Sequence, residues 1–356
     1  MDATEKLFQE ITEVPGVSGY ESEVRAVLRK HLEPVARIEQ DRLGSIIAVK
    51  QGASAQPRVM LAGHMDEVGF MVSLITDNGF IRFVPLGGWW DQVMLAQRVI
   101  IKTVRGDVLG ILGAKPPHIL KEDEAKKLVE KRDMYIDIGA TSADEVKEAG
   151  VRPGDPIIPI CPFTVLAPDK TYMAKAWDDR LGCALFTQTL WQLKDQAHPN
   201  TIYGVGTVQE EVGCRGAKTS VHSIDPDVAI ILEVDIAGDV PGIQPEESAI
   251  KLGKGPSLLL FDARMIPNLR LRDLVVEVAE QNKIPLQFSA MRGGATDGSM
   301  IHLHRDGVPT VVISVPTRHI HSHAGIIRRS DYDAALSLLV KLILRLDEAT
   351  VENLTA

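Results

Sequence analysis

Residues 171–211 read TYMAKAWDDRLGCALFTQTLWQLKDQAHPNTIYGVGTVQEE, and the reading of this stretch decides the fold class. A β-rich run at 172–176 passes into helical spacing over 181–193, and a second β-rich run at 201–208 leads toward a helix expected near 214–220. A third run comes at 228–234. Strand and helix in alternation predict an α/β domain with a substantially parallel sheet.

Toward the N-terminus, Ser18 and Glu21 form an S-x-x-E capping box ahead of Val24, Val27, Leu28 and Leu32 at helical spacing. Runs at 46–49 and 58–62 read as short strands, the second delivering Gly63 and His64 at its end. Toward the C-terminus the pattern gives a helix at 269–281, strands at 286–290 and 310–315, and a closing amphipathic helix at 332–346. Between the two halves the character changes. Closely spaced strands are expected at 68–75, 80–84, 98–104, 108–112 and 134–138, with a turn at Asp77-Asn78-Gly79. A charged helix is expected near 121–132, and a short one capped by Ser142 and Glu145 and closed by Gly150. A Pro-rich run at 153–168 reads as the exit. The simplest architecture is an α/β catalytic domain built from 1–66 and 168–356, with a β-rich unit inserted at 67–167.

The chain has 356 residues, 45% of them hydrophobic and 24% charged, which is ordinary for a globular protein of about two domains. With 39 Lys and Arg against 48 Asp and Glu, the net charge of −9 repels phosphate backbones and anionic membranes, so neither nucleic acid nor membrane is expected as a partner. Cys161, Cys183 and Cys214 form an odd, scattered set that reads as small buried apolar groups under reducing conditions. Residues 1–10 carry Asp2, Glu5 and Glu10 and no apolar stretch resembling a signal peptide, so the cytoplasm is the expected location. Every apolar run falls short of the ~20 residues that span a bilayer.

Open α/β sheets bind ligands at the carboxyl ends of their strands, and here those ends are crowded with His, Asp and Glu. His64 and Asp66 follow the run at 58–62; Asp178 and Asp179 follow 172–176; Glu210 and Glu211 follow 201–208. Glu233 and Asp235 end 228–234, and His319, His321 and His323 follow 310–315. Like charges gathered in a poorly hydrated crevice require compensation. Arg180 and Arg215 can each neutralise one carboxylate, but a pair of divalent cations satisfies the whole set and also accounts for the histidines, since imidazole and carboxylate suit zinc, cobalt or manganese. Two such ions, about 3.5–4 Å apart, need one bridging carboxylate and acidify the water between them. A carboxylate left off the metal then takes the proton, which gives the Glu210-Glu211 doublet a chemical reason: one ligand, one base.

At these residues the sequence resembles the tetrahedral (glutamyl-type) aminopeptidases, cocatalytic dinuclear metallopeptidases. The matching segments are AGHMDEVG (62–69), GGWWDQ (87–92), KPPH (115–118), YIDIGA (135–140), KAWDDRLG (175–182), VQEEVG (208–213), GGATD (293–297) and RHIHS (318–322), in order along nearly the whole chain. The resemblance implies a zinc-aminopeptidase-like α/β domain, its mixed central sheet flanked by helices, plus a small barrel-like inserted domain used in oligomerisation. It implies metal ligands at His64, Asp178 (bridging), Glu211, Glu233 and His321. Glu210 becomes the general base, and Asp66 orients the His64 imidazole from behind. Asp179 falls where related enzymes have a cis peptide between two aspartates, and it also suits a helix-start cap. Glu233 is preferred to Asp235 because it ends the run Ile230-Ile231-Leu232, and IAGD (236–239) then aligns in frame. His319 and His323 are expected in local structure or behind the metal. Trp89 and Trp90 read as core or interface, or else as pocket lining. His118 is given no chemistry. Asp297 is read either as part of a Gly-rich turn or as a group that positions substrate.

In function, the resemblance implies a cytoplasmic aminopeptidase that removes N-terminal residues from short peptides through a hydroxide bridging two divalent metals. Zinc is the first choice, with cobalt or manganese as alternatives. The expected assembly is a tetrahedral dodecamer built from dimers. The rivals are a related dinuclear deacylase or carboxypeptidase, a metal-free glycosidase using Glu210 or Glu211, and a non-catalytic assembly protein.

Overall fold

The computed structural model describes residues 1–167 and 170–355. Its centre is an eight-stranded mixed sheet in the order Arg37–Gln40, Ile46–Lys50, Thr201–Thr207, Arg58–His64, Val228–Ile236, Thr310–Thr317, Ser257–Phe261 and Gln287–Ala290. The four middle strands from Thr201–Thr207 to Thr310–Thr317 are mutually parallel, while antiparallel pairings lie toward the edges. Period-two alternation sorts their side chains. Val59, Leu61, Ile230, Leu232, Val311 and Ile313 pack with helices Ala3–Glu13, Trp177–Gln192 and Arg329–Ile343 on one face. Met60, Ala62, Ala229, Ile231 and Val312 pack with helix Arg215–Ile224 on the other. Burial on both faces explains why these strands read as unbroken apolar runs.

The β-rich unit closes into a six-stranded barrel of Gly69–Ile75, Ile81–Leu86, Tyr135–Asp137, Gly106–Gly113, Arg98–Thr103 and Pro156–Pro159. Phe70, Val72, Ile81, Val99, Ile101, Leu112, Ile136 and Ile157 fill its interior. The expected return to the α/β part at 168 lies outside the described residues.

Three local readings are corrected. The run at 172–176 does not join the central sheet; Thr171–Ala174 pairs antiparallel with Gly325–Arg328 and Thr164–Val165 in a separate three-stranded sheet. Partner choice among apolar strands is tertiary and leaves no local mark. The helix expected at 121–132 shrinks to Glu122–Ala125 and a 3-10 turn at Lys131–Asp133, because its charged residues offer no apolar stripe to bury. Ser18 and Glu21 do not cap helix Ser22–Leu32, which has no side-chain cap. Both are drawn instead toward the carboxyl ends of the central strands, Ser18 to Asp66 and Glu21 to the Gln209 amide.

The start of helix Trp177–Gln192 presses onto those ends. A Cβ on Gly182 would stand 2.4 Å from Asp179 Oδ2 and 2.5 Å from the Leu232 carbonyl oxygen, and one on Gly63 would stand 2.7 Å from the Gly182 carbonyl carbon. Arg180, fully buried, locks this junction. Its Nε donates to Met65 O (3.1 Å), Nη1 to Ile11 O (2.8 Å) and Val14 O, and Nη2 to Gly16 O (3.1 Å) and Glu67 Oε1 (2.8 Å). Every guanidinium hydrogen is thereby used. Neither arginine neutralises the acidic doublets: Arg180 serves Glu67 and backbone carbonyls, and Arg215 bonds Gln209.

Lys175 Nζ also reaches Glu67 Oε1 (2.5 Å) and Val14 O (3.2 Å). Burial pulls the Lys175 ammonium down to about 8, against the pull of Glu67.

Arg180→Met strands these acceptors and is expected to cost at least about 3 kcal/mol, read as a lower denaturant midpoint; an unchanged midpoint refutes the locking role. Between about 8 and the ordinary lysine value of about 10.4, the unfolded chain holds a proton at residue 175 that the folded chain has released, so stability rises with pH across that window. Lys175→Met, with Glu67 still paired to Arg180, should flatten that rise in urea titrations; an equal slope in both proteins sinks the assignment.

Candidate metal centre

Four neighbouring parallel strands bring their carboxyl ends to one crevice, and the turns beyond them carry the polar groups. His64 ends its strand with a buried imidazole. Its Nδ1 lies 3.0 Å from the Asp66 carbonyl oxygen and 3.5 Å from Asp66 Oδ1. Both are acceptors, so Nδ1 carries the proton and Nε2 faces the crevice with its lone pair. Nε2 stands 3.1 Å from Asp178 Oδ1 and 3.9 Å from Glu210 Oε2. His321, in a left-handed turn (φ +55°), donates Nδ1–H to Gly88 O (2.7 Å) and aims Nε2 at Asp178 Oδ2 (3.4 Å) and Glu211 Oε2 (3.6 Å). Asp178 thus stands between the two imidazoles, one carboxylate oxygen facing each.

The peptide bond between Asp178 and Asp179 is cis. Asp179 turns its carboxylate to the backbone, accepting the Gly182 amide on Oδ1 (2.9 Å) and the His64 amide on Oδ2 (3.1 Å).

Asp66 does more than support His64. Its Oδ1 accepts the Glu210 amide (3.0 Å), and its Oδ2 accepts the Glu211 amide (3.2 Å) and the Ser18 hydroxyl (2.6 Å). Glu21 Oε1 holds the Gln209 amide (3.0 Å) and the Gly19 amide (2.7 Å). Consecutive amides at 209–211 are therefore gripped by two buried acids, which fixes where the Glu210 and Glu211 side chains start. Sequence reading missed Ser18 and Glu21 here because their spacing fits a capping box equally well.

Glu233, 6% exposed, reaches the same crevice, whereas Asp235 turns to the Ser257 hydroxyl (2.6 Å). Two sets of potential ligand atoms lie within 4.8 Å of one another: His64, Asp178 and Glu211; and His64, Asp179 and Glu233. Other candidates fall elsewhere. His323 is buried against Trp89 at 5.1 Å between ring centroids, and Trp89 stacks on Phe70 in the barrel core. Trp90 is 60% exposed, and His118 sits in an exposed turn at Pro117–Ile119; neither lines the crevice. The His319 carbonyl accepts the Ser322 hydroxyl (2.7 Å). Asp297 is buried and accepts the Thr207 hydroxyl (2.5 Å).

The electrostatics fit cations. Burial pushes the Glu210 carboxyl up to about 8 and those of Glu211 and Glu233 well above the usual range, with Asp178 adding to the rise at Glu211 and Asp179 to that at Glu233. Burial pulls His321 down, but Asp178 and Glu211 lift it to about 10. Glu211 Oε1 is buried with no hydrogen-bond partner among the described residues. Carboxylates and two imidazoles converging with a donor atom unspent form a set that demands positive charge, which divalent cations supply in place of the imidazole protons. The cleft above them measures about 600 Å³ and extends past Ile236, Arg264, Met291 and Ala295. Among the described residues, no helix is long and apolar enough to cross a membrane.

Comparison with known proteins finds relatives along nearly the whole chain. An archaeal TET aminopeptidase from Thaumarchaeota archaeon SCGC AB-539-E09 superposes with a TM-score of 0.97 at 52% identity, covering 99% of this chain and 98% of that one. The glutamyl aminopeptidase of Lactococcus lactis is 35% identical over 348 residues, 97% of each protein. The Pyrococcus horikoshii TET1 peptidase, which assembles into a tetrahedron or a large octahedral shell, gives a TM-score of 0.87 at 30% identity over 97% of this chain and 100% of that one. The M42 glutamyl aminopeptidase model matches residues 44–338, and with its crevice of acids and imidazoles and its inserted barrel, the chain belongs to the M42 glutamyl aminopeptidase family.

Proposed function

We propose that the protein is a metal-dependent aminopeptidase that removes the N-terminal residue of short peptides. The observation that carries this reading is the placement of Asp178, with one oxygen toward His64 Nε2 and the other toward His321 Nε2. That is the arrangement required of a carboxylate shared by two cations. His64, Glu233 and Asp178 would hold one ion; His321, Glu211 and Asp178 the other. Zinc suits the donors best, with cobalt or manganese as alternatives. When bound, the pair supplies Lewis acidity toward the scissile carbonyl and lowers the pKa of water.

The remaining work falls to the protein. Glu210 starts from an amide fixed by Asp66 and lies beside His64 without occupying a ligand position, so its carboxylate is free to take a proton from the attacking water and hand it to the leaving amine. Burial raises the proton affinity of Glu210, which makes its carboxylate a stronger proton acceptor once cations in the crevice hold it ionised. Asp66 holds the His64 ring through its own carbonyl and keeps Glu210 and Glu211 in register. Carboxylates crowded at one end of the cleft favour a substrate that presents a free α-ammonium there. By analogy with the Pyrococcus horikoshii shell, the chain assembles as a tetrahedral dodecamer built from dimers, with the barrel unit at 67–167 as its assembly domain. The cytoplasm is the proposed location.

Hydrolysis of free-amine against N-acetylated peptides, with and without chelator, tests this reading. Free-amine substrates alone should be cleaved, chelation should abolish turnover, and added zinc, cobalt or manganese should restore it. Preference for the acetylated series points to a deacylase, and activity that survives chelation ends the metal mechanism. Glu210→Gln should keep metal content near wild type while kcat falls by roughly 10²–10⁴. Glu211→Gln and His64→Ala should lose metal by elemental analysis; a metal-replete Glu211→Gln with full activity contradicts the ligand assignment.

A further inference from the structure

Beside Glu210 Oε1 lies a third group of potential donors, of which the proposed mechanism uses only Glu210. Cys214, Asp297 and Glu210 each offer a ligand atom within 4.8 Å of the others. Cys214 is 4% exposed and Asp297 1% exposed. The thiol donates to Glu210 Oε1 (3.2 Å) and lies 3.5 Å from the Thr296 carbonyl oxygen. Asp297 Oδ2 is engaged by Thr207, but Oδ1 is buried with no hydrogen-bond partner among the described residues. An unspent carboxylate oxygen in a buried pocket, next to a sulfur and a second carboxylate, calls for a positively charged occupant. Cys214, Glu210 and Thr296 all line the cleft, so an ion has a route in.

We propose that Cys214 Sγ, Asp297 and Glu210 form a third cation site, weaker than the main pair and selective for thiophilic metals such as zinc and cadmium. Binding there is a substitution: the S–H bond breaks, its proton leaves to solvent, and a sulfur–metal bond forms. The thiolate is what sets the selectivity, because the main-pair donors are imidazole and carboxylate, whereas sulfur favours soft ions. The carboxyls around the crevice outnumber the positive charges that two dications bring, so a further dication is electrostatically tolerated. The consequence rests on Glu210 being the base: an ion held by Cys214 and Asp297 on its carboxylate takes away its proton-accepting capacity, so excess thiophilic metal inhibits without displacing the main pair.

The test uses the full-length protein loaded with two equivalents of zinc and titrated with cadmium chloride. A sulfur-to-cadmium charge-transfer band should grow in the ultraviolet with one thiolate per protomer, and turnover should fall at least tenfold along the same titration curve. No main-pair ligand is a cysteine, so the band does not arise from the main pair, and it appears whether or not the protein is a peptidase. Cys214→Ala should show no band and keep most of its own cadmium-free rate at the concentration that inhibits wild type. Asp297→Asn should weaken cadmium binding about tenfold or more. The proposal is overturned by absence of the band in wild type, by a band that persists in Cys214→Ala and so belongs to Cys161 or Cys183, or by equal inhibition of wild type and Cys214→Ala.

Discussion

Gathering carboxylates at the ends of neighbouring buried strands is electrostatically adverse, and the architecture around the crevice is organised by that constraint. Glu210 and Glu211 follow Thr201–Thr207, His64 ends Arg58–His64, Glu233 lies on Val228–Ile236, and His321 follows Thr310–Thr317. These strands are consecutive neighbours in the sheet. Parallel pairing forces all of their C-terminal ends to the same side, so residues from remote parts of the chain meet by topology. Once there, each carboxyl loses hydration and repels the next. Cations between them would turn a destabilising cluster into a bound centre.

The protein holds this cluster in place mainly through its backbone. Asp179 accepts the His64 amide, Asp66 accepts those of Glu210 and Glu211, and Glu21 accepts that of Gln209. Acids to which the proposed centre gives no ligand or base role thus fix the starting points of those that have one. Arg180 performs the matching task beneath, tying Ile11, Val14, Gly16, Met65 and Glu67 to the helix that carries Asp178. With so many fixed amides, little conformational freedom remains to be lost when a metal or a transition state is bound.

Much of this was legible in one dimension. The alternation of apolar runs and helical spacing after residue 171 announced an α/β fold, because period and burial leave their mark on residue type. The five strands expected between 68 and 138 are all in the barrel, and the sixth comes from the Pro-rich exit, where prolines masked the strand signal. The acidic and imidazole residues at the strand ends stood out because charged groups directly after buried runs are hard to explain as surface. Choosing between Glu233 and Asp235 needed more, since alternation points both the same way; the structure sends Asp235 to Ser257 and leaves Glu233 in the crevice.

By itself, then, the sequence determined the elements, their order and the chemical types present at each strand end, since these derive from local periodicity and from the cost of burying charge. Only the tertiary structure decided who meets whom. Residues 171–174 left the central sheet for Gly325–Arg328, Ser18 and Glu21 left a helix cap for the Glu210 turn, and Cys214, buried in the core as expected, also became a neighbour of Glu210 and Asp297. In each case two or more partners satisfied the same local rule. The choice among them was made by contacts between residues far apart in the chain, which local periodicity does not encode.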